Sequence, residues 1–200
     1  MPFLKEQVDI INNALIATAF NYKQFKSALI ENIAKSALRT DGDNQTVYPA
    51  VISISGVEKY LGIDDTYPMV VYHKIVNKRY EKRNNTTQYG AGFAKMFEIT
   101  TMYMVVYASQ AKISLTAEQL EALIVTNFPD RIPDADISTL TGVEMMNVNL
   151  ISSELDGMTI FAQEYKNVEY PLGIEDILIR INYSTETAYK KDCLNICEPC

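Results

Sequence analysis

Two stretches decide the fold: Tyr67–Tyr80, YPMVVYHKIVNKRY, and Phe93–Tyr107, FAKMFEITTMYMVVY. Both are rich in Val, Ile and Tyr, the residues that sit best on a pleated, half-buried surface. In the second, Phe97, Ile99, Thr101, Tyr103, Val105 and Tyr107 recur every second position and so share one face of a strand. Between them lies the polar segment Glu81–Gly92, EKRNNTTQYGAG, with two asparagines, two threonines and two glycines. Long strands joined by such a tip read as an antiparallel hairpin over 67–107, extending beyond the globular body.

Upstream the periodicity is helical. Leu4, Val8, Ile11, Leu15 and Ala19 step by four, three, four and four, which puts one apolar stripe on a helix. Phe25, Leu29 and Ile33 continue the pattern, so residues 1–40 read as N-terminal helices, either continuous or punctuated at Asn21-Tyr22. Asp41-Gly42-Asp43-Asn44 stops them, because Asp, Asn and Gly favour turns. Val47–Ser55 reads as a strand, and Val57–Leu61 as one helical turn.

Downstream, Thr116 and Gln119 form a capping-box pattern ahead of the stripe Leu120, Leu123, Ile124 and Phe128, and Pro129 ends that helix. Asp130–Gly142 reads as a loop carrying Asp130, Asp134 and Asp136. Val143–Ile151 is the next strand, and Met158–Tyr165 reads equally as strand or helix. In Asp176–Tyr183, Ile177, Ile179 and Ile181 alternate against Leu178, Arg180 and Asn182, the pattern of a last strand. Residues 184–200 form a polar C-terminal tail. With no repeat and no low-complexity linker, 1–200 is one domain: α+β, an antiparallel sheet with a long protruding β-hairpin and helices packed on one face.

Composition sets the function classes. The chain has 200 residues, 48% of them hydrophobic and 22% charged, enough for a core without staples. Its thirteen tyrosines, against no tryptophan, suit strands and protein contacts. A net charge of −7 opposes wrapping of duplex DNA, which depends on Lys and Arg neutralising phosphates. It fits either plain solubility or a passage along which DNA slides. No signal-like apolar run opens the chain, and no stretch reaches the length of a membrane span, so synthesis in a cytoplasm is expected.

No motif marks a catalytic centre. His73, the only histidine, lies mid-strand with no nucleophile motif nearby, and a structural or surface role is expected for it. Cys193, Cys197 and Cys200 have the C-x3-C-x2-C spacing of a radical SAM cluster, but they occupy the last eight residues rather than a loop opening a barrel. A tetrahedral zinc would need a fourth ligand. The alternatives are a reduced, flexible tail and a disulfide formed after lysis. Gly90-Ala91-Gly92 opens a strand, where a phosphate loop would open a helix. No enzyme activity, metal or cofactor is therefore expected.

The residues set apart are Lys74, Lys78, Arg79, Lys82 and Arg83, opposed nearby only by Glu81. They read as a contact to phosphate, as a contact to an acidic neighbouring subunit around Asp134 and Asp136, or as a solvated arm whose lysines discourage edge pairing.

The order of elements resembles tail-terminator and head–tail connector proteins of tailed bacteriophages, over Leu4–Leu38, Tyr67–Tyr107, Thr116–Phe128 and Ile174–Tyr183. More narrowly, IFAQEY at 160–165, VEYP at 168–171 and Ile177–Ser184 are similar to neck-ring proteins of crAss-like phages of gut bacteria. The resemblance implies a structural virion protein of the neck or tail, made in the host cytoplasm. It would form a homo-oligomeric ring between portal and tail, its hairpins and loops reaching to neighbours, with DNA passing through the lumen without sequence-specific binding. It implies no catalytic residues. A small non-enzymatic assembly adaptor or chaperone is the alternative.

Overall fold

A computed structural model describes residues 2–21, 28–52, 56–61, 67–84, 94–130, 143–155 and 176–189. The stripe expected at the N-terminus builds helix α1, Pro2–Ala17, and Leu4, Val8, Ile11 and Leu15 are all buried on it. Each contributes about 1.5–3 kcal/mol by leaving water. The second helix expected within 1–40 is not formed over the described residues. Leu29–Ile33 is strand β1, and Lys35–Asp41 is strand β2. Apolar residues four apart fit a helix, but here Leu29 serves one face of a short strand while the chain passes from one sheet into another.

Strand β2 turns at Gly42-Asp43 into β3, Asn44–Ile52, with Asp41 opposite Asn44. Gly42 takes φ 59°, the left-handed value required at the first central position of a tight two-residue turn. The turn signal thus joins two strands instead of ending a helix. Glu58–Tyr60 is strand β4 rather than a helical turn; it pairs with Ala50–Ile52 and completes a three-stranded antiparallel sheet in the order β2-β3-β4.

The second sheet has five strands. Met69–Asn84 is β5 and Ala94–Ser109 is β6, antiparallel from Met69 opposite Ala108 to Asn84 opposite Ala94. Strand β7 is Val143–Glu154 and β8 is Asp176–Tyr189. The order is β1-β5-β6-β8-β7. Because β1 runs parallel to β5, the sheet is mixed rather than wholly antiparallel, as a crossover from one sheet into another permits.

Strand β8 also runs past the expected tail boundary. Thr185 and Thr187 are buried, and β8 stays beside β6 as far as Phe97. Over the described residues only Lys82–Asn84 and Ala94–Met96 lie past β8, so these strands do not stand clear as a long arm. The turn between them falls outside the described residues, as do Asp134 and Asp136, the 158–165 segment, all of the resemblance at 160–171, and Cys193, Cys197 and Cys200.

Each face of the five-stranded sheet has its own core. On one, Met102, Met104 and Val106 of β6 with Ile177, Ile179 and Ile181 of β8 meet α1, the short helix α2 (Gln110–Ile113) and α3 (Ala117–Asn127). Thr116 caps α3 through the full reciprocal box with Gln119, as its sequence predicts. On the other face Val70, Tyr72, Tyr103, Val105 and Tyr107 pack toward Ala34, Val47 and Val51 of the three-stranded side. The fold is α+β, with helices on one face of the large sheet and the small sheet on the other.

Candidate subunit interface

The five cations expected to form a patch all lie on β5, and a bulge divides them. Ile75 pairs with Met102 and Asn77 with Thr101, so Val76 is an extra residue in β5. One extra residue exchanges the faces of everything beyond it. Before it His73 points into the helix-side core; after it Lys78 shares that side with Glu98 and Thr100, while Arg79, Glu81 and Arg83 take the opposite face with Phe97 and Glu186.

Lys78, Arg79 and Arg83 meet carboxylates of their own chain. Lys78 Nζ lies 2.7 Å from Glu98 Oε1, and the Glu98 side chain is only 4% exposed. Burial works against the Lys78 ammonium, but hydrogen bonding and charge from Glu98 outweigh it and hold its pKa above the ordinary value. On the other face Arg79 and Arg83 share Glu81, at 3.1 and 3.0 Å, and Arg83 also reaches Glu186 at 2.7 Å while its guanidinium covers the Phe97 ring at 4.6 Å. These hydrogen bonds, that of Arg83 first, hold the Glu81 carboxyl below its usual range. Lys74 donates to Ser36 Oγ at 3.3 Å, and burial followed by the nearby charge of Arg180 lowers its pKa. Lys82 is exposed.

This arrangement is a strand edge rather than a free basic arm. Strand β1 covers β5 only between Val70 and His73, and beyond that no strand lies beside β5 on this side among the described residues. At a rise of about 3.3 Å per residue, Lys74–Asn84 offers roughly 35 Å of open edge. Along it Ile75, Val76 and Tyr80 are exposed, Val76 by 56% and Tyr80 by 60%. Sequence reasoning singles out the charges and passes over these apolar residues. The available signal is the adjacent pair Ile75-Val76, which breaks strict alternation inside a strand. Glu98 and Glu186 are invisible as partners in the sequence, since they are brought in by pairing across β6 and β8.

His73 is completely buried, with both ring nitrogens hydrogen-bonded. The tautomer protonated at Nε2 satisfies its surroundings: Nε2–H donates to Asn12 Oδ1 and Nδ1 accepts from the Tyr183 hydroxyl, both at 2.8 Å. Asn12 in turn donates to the Glu31 carbonyl at 3.3 Å, so one chain of bonds ties α1, β1, β5 and β8 together. Burial pushes the imidazole pKa down to about 3, leaving it neutral. Nearby, Gln7 donates to Thr187 Oγ1 at 2.9 Å and accepts from Thr185 at 3.2 Å. Among the described residues no group of three or more His, Cys, Asp or Glu is placed to hold a metal, and no helix is long and apolar enough to cross a membrane.

No protein-family model matches the chain, and no curated protein matches it.

Proposed function

We propose that this chain is a structural subunit of the neck or tail of a tailed bacteriophage, assembling with copies of itself into a ring that joins portal to tail and lets DNA pass through its lumen. The observation that carries this reading is the open β5 edge, where exposed Ile75, Val76 and Tyr80 stand beside Lys78, Arg79 and Arg83, cations already held by Glu98, Glu81 and Glu186. Paired cations gain less from phosphate than free ones, because a phosphate must displace a carboxylate already in place. An apolar strip with an oriented charged rim is the composition of a protein contact. The edge therefore favours protein over DNA as what these side chains touch.

Negative-stain electron microscopy of the purified chain tests the reading. Annular particles with an open centre are expected, together with DNA affinity in the non-specific range that changes little on Lys82→Glu. Featureless monomers, or tight DNA binding abolished by that substitution, would contradict it.

A further inference from the structure

We propose that the open β5 edge of one copy docks against the acidic α3–β7 edge of a second copy, head to tail, so that the same two surfaces are used at every contact. The inference rests on the ring reading and specifies its interface. Among the described residues, β5 past His73 and β7 are the two outer strands of the sheet, separated by β6 and β8. At about 4.8 Å per strand they lie some 14 Å apart and face opposite ways. A contact between opposite edges is heterologous and repeats from copy to copy, closing into a ring when the rotation allows.

Charge selects the pairing. Lys74–Arg83 holds five cations and one carboxylate, and with Glu98 and Glu186 paired against it the edge stays net positive. Ile113–Asp130, flanked by Lys112 and Arg131, and Val143–Leu155 hold no Lys or Arg. The latter segments carry Glu118 and Asp130, both exposed, and Glu121 and Glu154, both partly buried. Two β5 edges brought together would repel, as would two α3–β7 edges; one of each attract. Apolar exposure matches as well: Ile75, Val76 and Tyr80 stand on one edge, and Leu150, Ile151 and Leu155 on the other, with Ile151 57% exposed. The amide of Val148 is already taken by the Asp130 carbonyl, at 3.1 Å, so side chains rather than a full backbone ladder make this contact.

Two variants test it by light scattering, alone and mixed. One carries Val76→Glu with Lys82→Glu, the other Ile151→Lys with Leu155→Lys, all at exposed positions. Each blocks one edge and leaves the other intact. Both are expected to be monomeric alone, and their equimolar mixture to form a one-to-one dimer and nothing larger. Unchanged melting temperatures check the fold; if the second variant fails to fold, Glu118→Lys with Asp130→Lys reverses the same edge. Variants that oligomerise like the unaltered chain, or a mixture that stays monomeric, overturn the edge pairing while leaving the ring standing. An unaltered chain that never exceeds a dimer overturns both.

Discussion

His73 illustrates how one side chain joins distant parts of the chain at the residue scale. Its bonds to Asn12 and Tyr183 hold α1 to the sheet, so removing either partner strands a buried polar atom. Tyr183→Phe is expected to cost about 1–3 kcal/mol in denaturant unfolding, with little change in spectrum. The pH dependence has a definite sign. With a folded pKa of about 3 against an ordinary 6.5, the unfolded chain takes up a proton that the folded chain refuses. The stabilisation is fully present above pH 6.5 and is lost as pH falls toward about 3, by up to about 1.4 kcal/mol per unit. Between about pH 6.5 and 5 the unaltered chain should lose on the order of 1–2 kcal/mol, and His73→Gln much less; parallel slopes would refute the assignment. The sequence leads to a structural or surface role for His73, and burial removes the surface one; its partners lie 61 and 110 residues away, beyond any local pattern.

Elements are legible where a local signal stands alone. The α1 stripe, the Thr116 capping box and the Ile177–Ile181 alternation each predict the element formed, because burial and capping act on neighbours a few residues apart. Thr116→Ala should cost about 1 kcal/mol of stability by chemical denaturation. Leu29–Leu38 misleads because its apolar spacing is compatible with a helix. The choice is made by pairing with Val70–His73 and with β3, contacts remote in sequence. The bulge at Val76 leaves only the faint signal of the adjacent Ile75-Val76 pair, yet it decides which face each cation takes. It also makes Lys78 the partner of a buried carboxylate, and an ion pair of that kind fails when one member is removed. Lys78→Met is expected to lower stability by about 3 kcal/mol, whereas Lys78→Met combined with Glu98→Leu should recover most of the loss. Equal losses in the single and double variants would show that the carboxylate is not held by Lys78.

At the scale of the whole molecule, the α+β class follows from the succession of strand and helix patterns, but the layering does not. Which strands form the small sheet, and that it covers the face opposite the helices, depends on Ala34, Val47 and Val51 meeting Val70, Tyr72, Tyr103, Val105 and Tyr107. Those contacts join residues far apart in the chain, which no local periodicity encodes. The open β5 edge is a property of the same scale, since an edge exists only once the order of strands is set. The central proposal concerns the assembled molecule: that a chain with two opposite sheet edges of complementary charge closes into a ring. The molar mass of the purified chain, measured by light scattering across a wide range of concentrations, tests it most directly. One discrete species of many subunits is expected, persisting on dilution until it dissociates to monomer. A monomer or a dimer at every concentration would contradict it.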